Sequence, residues 1–116
     1  TCPSMMAQLP RLDFAPKFVD AISEGRKRAT TRLVGESDPR SDLEALVEGA
    51  ECVATAAARP FGRLRITAVS TVRFDDLDDE VAIEEDCASL AEFRQLLRSF
   101  YPRGDAFRVY RFRVDE

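Results

Sequence analysis

Arg63-Leu64-Arg65-Ile66-Thr67-Ala68-Val69-Ser70-Thr71-Val72-Arg73-Phe74 is the longest strand signal in the chain. Leu64, Ile66, Ala68, Val72 and Phe74 fall on one side of a two-residue period. Arg63, Arg65, Thr67, Thr71 and Arg73 fall mainly on the other, and only Val69 breaks the polar side. Side chains alternate across a strand, so this pattern predicts a long, half-buried, bent strand with arginines outward.

Toward the N-terminus, Glu51 to Ala57 reads as a second strand that breaks at Pro60, with a short helix from Asp42 to Val47 before it and loop over 35–42. Residues 28–33 read as a strand with Ala29, Thr31 and Leu33 on one face and Arg28, Thr30 and Arg32 on the other. A helix opens at Pro16, carries Phe18, Val19, Ala21 and Ile22, and ends at Gly25, which suits the residue just past a helix. Leu12 to Phe14 is a short opening strand.

Toward the C-terminus, Asp79 to Glu85 forms a short helix around Val81, Ala82 and Ile83. Ser89 and Glu92 then form a capping box for a helix striped by Leu90, Phe93, Leu96, Leu97 and Phe100. Pro102 and Gly104 stop it. Phe107 to Val114 is the last strand, Tyr110, Phe112 and Val114 alternating with Arg111 and Arg113. The order β-α-β-(α)-β-β-α-α-β has strands too short and too mixed with loops for a doubly wound sheet. It predicts an α+β fold, a small mixed β-barrel with peripheral helices.

The composition agrees. At 116 residues, 45% apolar and 33% charged, the chain makes one soluble globular domain, expected over residues 12–116 with an N-terminal extension at 1–11. Thr1-Cys2-Pro3-Ser4, ahead of Met5-Met6, reads as a remnant foreign to the domain. No apolar run nears the ~18 residues that span a membrane. There is no histidine, which excludes Ser-His and Cys-His nucleophiles, imidazole ligands and histidine switches. Cys2, Cys52 and Cys87 are odd in number and widely spaced, which argues against a disulfide framework or a zinc site. Reduced thiols and the lack of a signal-peptide layout point to the cytoplasm, with the nucleus left open. A monomer needing no metal and no cofactor is expected.

Net charge is -4, but residues 75–92 hold nine acids and no base, while residues 1–34 and 93–116 are each net +3. An acidic run is usually a solvated face. The basic ends leave room for a phosphate-bearing partner.

The densest reactive cluster is Gly25-Arg26-Lys27-Arg28-Ala29-Thr30-Thr31-Arg32, where a helix ends and a strand begins. Thr30 and Arg32 point the same way from a strand. Lys27 joins them only if the backbone is still turning there, which Gly25 permits. A lysine amine accepts a proton from a threonine hydroxyl only in its neutral form, which burial or neighbouring cations favour. A carboxylate partner would orient the lysine or hand a proton to a leaving amine. The same three groups would also suit a plain ion pair and an ordinary strand threonine.

Gly25-x-Lys27-x-x-Thr30-x-Arg32, after a helix opening at Pro16-Lys17-Phe18, resembles the activating signal cointegrator homology (ASCH) domain of the PUA-like barrels. The likeness runs on through Leu64-x-Ile66-Thr67-x-Val69, Arg73-Phe74-Asp75-Asp76-Leu77-x-Asp79-Glu80, Phe100-Tyr101-Pro102 and Val109-Tyr110-Arg111-Phe112. It covers residues from about 12 to 114. Within that group the chain resembles the small bacterial amidohydrolases that remove acetyl from N(4)-acetylcytidine with a lysine, a threonine and a glutamate. The resemblance implies Lys27 as base, Thr30 as nucleophile and Glu85 as the orienting or proton-donating acid, with Glu84 one register away. Threonine attack and lysine-activated water are both open. Gly49-Ala50 stands where family members usually carry Gly-Asp, and the loop from Val34 to Leu46 looks longer than theirs.

Substrate contacts are expected from Arg28, Arg32, Arg63, Arg65 and Tyr110, and the partner is a modified nucleoside or single-stranded RNA. Other ASCH proteins are proposed to bind RNA, and some are reported to cut it. The alternative is therefore a non-catalytic RNA-binding module that grips phosphate with its strand arginines and stacks bases on Tyr101, Phe107 or Tyr110. Alternating charges on a strand are more often its wet face.

Overall fold

The structure, a computed structural model, describes residues 9–35, 38–57 and 59–114. Residues 1–8, including Cys2 and most of the expected N-terminal extension, lie outside the described residues. Five strands share one mixed sheet: β1 (Arg11–Phe14), β2 (Ala29–Leu33), β3 (Glu51–Ala56), β4 (Arg59–Arg73) and β5 (Ala106–Val114). Their spatial order is β1-β3-β4-β5-β2. The β1–β3 pair is parallel and the others are antiparallel. The sheet curls into a half-barrel, because its two edges approach each other: Arg32 on β2 donates to the Asp13 carbonyl on β1 at 2.6 Å.

β4 is the backbone of this curl, and its reading needs correction. Its register against β5 shifts between Ile66 and Ala68. Such a bulge inserts an extra residue and reverses which face later side chains take. Leu64 and Ile66 therefore enter one core with Phe14, Ile22, Tyr110 and Phe112. Beyond the bulge Val69 packs on that same core, while Val72 and Phe74 pack on the opposite one. The alternation called continuous from Leu64 to Phe74 is two phases, and Val69 is no exception once they are separated. Pro60 does not break the strand either. It pairs with Thr55 on β3, and β5 reaches β4 only from Leu64 onward. A proline with one neighbouring strand leaves no ladder bond unmade on the other side.

α1 (Val19–Ser23) follows a 3-10 turn over Pro16–Phe18, and the expected short helix at 42–47 is a 3-10 turn over Leu43–Ala45. Both cover the first core. α2 (Asp79–Glu84) and α3 (Leu90–Phe100) cover the second. The acidic segment serves α2 directly: Asp78 caps it by accepting from the Val81 amide at 3.0 Å, and Asp79 and Glu80 fill its first turn. Negative groups belong at that end of a helix dipole. Ser89 caps α3, accepting from the Glu92 amide at 3.1 Å, while the Glu92 carboxylate reaches back to the Ala88 amide. α3 buries Phe93 and Leu97 beside Phe107, Val109 and Ala29, each large side chain contributing about 1.5–3 kcal/mol. Among the described residues no helix is long and apolar enough to cross a membrane.

Candidate active site

Gly25 sets the position of Lys27. It takes φ +81°, the left-handed conformation that favours glycine. The amides of Arg26 and Lys27 both close back on the Ala21 carbonyl, at 2.9 and 3.0 Å. The Arg28 amide then bonds the Glu84 carbonyl at 2.6 Å, tying the start of β2 to the end of α2. This turn, which Gly25 permits, sends the Lys27 side chain inward, where it is 3% exposed.

The Lys27 ammonium is bonded to the Glu85 carboxylate and donates to the Ala29 carbonyl at 3.0 Å. It also lies 4.8 Å from the Phe18 ring centroid. Glu85, the residue that caps the C-terminus of α2, is as deeply buried, and its other oxygen accepts from the Thr31 hydroxyl at 2.7 Å. Both oxygens are thus satisfied inside the protein, as a buried charge requires. Glu84 points elsewhere: it pairs with Arg111 at 2.9 Å. Of the two adjacent glutamates, Glu85 is the one bonded to Lys27.

Thr30 faces the opposite side of β2 from Thr31. Its hydroxyl accepts from Arg32 Nε at 3.2 Å. The rest of that guanidinium is held by the Asp38 carboxylate, at 3.1 Å, and by the Asp13 carbonyl. Arg32 is therefore a brace across the barrel seam while it also lines the pocket. Burial works against a charged Asp38, but hydrogen bonds from Ser41 and the Arg40 amide, with the charge and hydrogen bond of Arg32, hold its carboxyl below the usual range. Among the described residues Lys27 and Thr30 share no direct hydrogen bond.

These side chains line a pocket of about 160 Å³ at the seam between β1 and β2. Asp13, Phe14, Ala15 and Phe18 form one wall, Lys27 and Thr30 to Arg32 the floor with Glu85, and Phe93, Leu96, Leu97, Phe100 and Tyr101 the wall from α3. Clefts for drug-sized ligands run to ~300–1,000 Å³, so this one suits a single ring and its substituent. The structure brings Lys27, Thr30, Glu85 and Arg32 together here. It does not bring Arg28, Arg63, Arg65 or Tyr110. Arg28 is exposed beside Ile22 and Phe112, Arg63 pairs with Glu51 at 3.2 Å, and Arg65 donates to the Gly49 carbonyl. Tyr110 is 2% exposed in the first core.

Sequence reasoning missed Thr31, Phe18 and Asp13 as members of the site. Thr31 had one usable signal: a hydroxyl on the core-facing side of a strand needs a buried partner. Among the described residues, cysteine chemistry is not available nearby. Burial, then the Glu85 charge, pushes the half-buried Cys87 thiol up to about 11, and burial raises Cys52 to about 11, so both stay protonated and unreactive at neutral pH.

The chain is 27% identical over 106 residues to an N(4)-acetylcytidine amidohydrolase of Pasteurella multocida, covering 90% of this chain and 94% of that protein. Its fold matches an ASCH domain from Lactobacillus crispatus with a TM-score of 0.67 and 24% identity, over 83% of this chain and 69% of the other. An ASCH protein from Zymomonas mobilis matches with a TM-score of 0.66 and 16% identity, over 90% and 66% of the two chains. The ASCH domain family matches residues 6–109, and the chain belongs to that family.

Proposed function

We propose that this protein is an amidohydrolase that removes the acyl group from an N(4)-acetylcytidine-like pyrimidine nucleoside, with Lys27, Thr30 and Glu85 as its catalytic residues. The observation that carries the reading is the buried Lys27–Glu85 pair on the floor of a small pocket that the Thr30 hydroxyl also lines. Similarity to the Pasteurella multocida enzyme supplies the reaction class. The Glu85 carboxylate and the Ala29 carbonyl take two hydrogens of the ammonium, and the third faces no acceptor among the described residues. Glu85 thus fixes the nitrogen in the pocket rather than letting it sweep.

In the reaction, Lys27 passes one proton to its partner Glu85, and Thr30 Oγ1 attacks the acyl carbon while its proton passes through a water to the Lys27 amine. The Arg32 guanidinium already donates to that oxygen and so favours loss of its proton. As the C–N bond breaks, the proton moves from Lys27 to the exocyclic nitrogen and cytidine leaves. Water then attacks the threonine ester, Lys27 carries a proton of that water to Thr30 Oγ1 as the C–O bond breaks, Glu85 returns its proton to Lys27, and acetic acid leaves and ionises to acetate.

The RNA-binding alternative draws less support. Arg63, Arg73 and Arg111 already hold carboxylates, and Phe107 and Tyr110 are core residues. The test is incubation with N(4)-acetylcytidine and chromatography for cytidine, beside Lys27→Ala and Thr30→Ala. Cytidine should form with the parent protein and fall about 100-fold or more in either variant. No cytidine, or equal cytidine from all three, ends the proposal.

A further inference from the structure

Lys17 sits in the 3-10 turn beside the pocket, and its side chain is exposed. Its ammonium lies 5.3 Å from the Phe18 ring centroid and 5.6 Å from that of Phe100. These two rings are 6.4 Å apart and both line the pocket. Among the described residues no carboxylate comes within ion-pair distance of Lys17. By contrast Arg26, Arg32, Arg63 and Arg111 each hold one. Lys27 reaches the same Phe18 ring at 4.8 Å, so the two ammonium groups lie within about 10 Å of each other across one aromatic side chain. The inner one is neutralised by Glu85 and the outer one is not.

A ligand whose reacting end meets Lys27, with its ring against Phe18 and Phe100, carries its far end out to Lys17. On a pyrimidine nucleoside oriented by its exocyclic amide, that far end is the ribose 5′ carbon. We propose that the pocket takes a mononucleotide, and that Lys17 binds its 5′-phosphate. The inference rests on reading this pocket as the amidohydrolase site. Two ring faces hold the Lys17 ammonium in place, so less side-chain freedom is lost when it grips an anion. Lysine serves phosphate as a compact point charge. The protein as a whole is acidic, with a net charge of -4, so a preference for the phosphorylated ligand must come from a local group rather than from general attraction.

The experiment compares N(4)-acetylcytidine with its 5′-monophosphate as substrates, and measures binding of cytidine and cytidine 5′-monophosphate separately. The parent protein should favour the phosphorylated member of each pair by about fivefold or more at low salt, and less at high salt. Lys17→Gln should bring both ratios to about one, and Lys17→Arg should keep them. Ratios near one in the parent protein, or ratios unchanged by Lys17→Gln, overturn the inference. So does faster deacetylation of an oligonucleotide with an internal acetylcytidine, which would make the ligand a strand. If neither acetylated substrate is turned over but the binding ratio and its loss in Lys17→Gln hold, the phosphate site stands and the amidohydrolase reading fails. Turnover without either ratio is the reverse outcome.

Discussion

Lys27–Glu85 and Arg73–Asp105 are both cation–carboxylate pairs, set in opposite surroundings. The first pair has side chains 3% and 4% exposed, on the floor of a pocket. The second has side chains 72% and 51% exposed, on the rim of the sheet. An exposed pair gains little, because water and salt screen it. A buried pair gains more from mutual attraction but loses the hydration of two ions, and the loss often exceeds the gain. Stability therefore does not explain why a lysine and a glutamate meet inside this half-barrel when leucines would pack there. The amide hydrolysis proposed for this pocket supplies a reason.

The largest effect tests that argument directly. Lys27→Met leaves the Glu85 carboxylate buried without its cation and should cost about 3–5 kcal/mol in denaturant unfolding. Lys27→Met combined with Glu85→Leu removes both charges and should recover most of that loss. The double variant should fold and should yield no cytidine from N(4)-acetylcytidine. A double variant as unstable as the single one would show that the pair holds the fold together, and the contrast with Arg73–Asp105 would be one of degree.

The next effect separates the two adjacent threonines. Thr31→Val removes a hydrogen bond to a buried carboxylate and should cost about 1.5–3 kcal/mol of stability. Thr30→Val should cost less in stability, since its hydroxyl only accepts from the already braced Arg32, yet lower turnover about 100-fold or more. Equal turnover in the two variants would remove Thr30 as nucleophile and favour water activated by Lys27.

Much of this arrangement was legible in the sequence, for identifiable reasons. Local rules placed the helix stop at Gly25, the cap at Ser89 and the alternation of β5, because each depends on residues within one turn or strand. The turn at Lys27 could be inferred because Lys27 and Thr30, three apart, cannot share a strand face. The bulge between Ile66 and Ala68 was not legible. Nothing in Thr67 marks it as the extra residue, and it arises from pairing with β5, some forty positions away in sequence. Thr31, Phe18 and Asp13 were missed for a related cause: they enter the pocket because the two sheet edges curl together, a long-range event. The arginines misled for the opposite reason. Their spacing showed an outward face, but the carboxylates that neutralise Arg63 and Arg111 come from other elements.

An intermediate case lies between the two extremes. Arg32 and Asp38 have side chains 13% and 27% exposed, and Asp38→Asn should cost about 1 kcal/mol. The Asp38 carboxyl titrates below its ordinary value of about 3.9. The folded state therefore holds that proton more weakly than the unfolded chain, and the pair adds stability above about pH 4 that is lost as the pH falls further. In acid unfolding the gap between the parent protein and Asp38→Asn should close as the pH falls below the ordinary carboxylate value. A constant gap across that range would assign the loss to packing instead of charge.

The smallest effect is expected at the surface pair. Arg73→Ala should change stability by no more than about 1 kcal/mol, and the change should shrink as salt is added. Turnover should not respond, because Arg73 lies outside the residues lining the pocket. The informative outcome is a loss of several kcal/mol that persists at high salt. The strand rim would then be a structural clamp, and the reasoning that assigns Lys27–Glu85 to chemistry, because ion pairs add little to this fold, would lose its reference point.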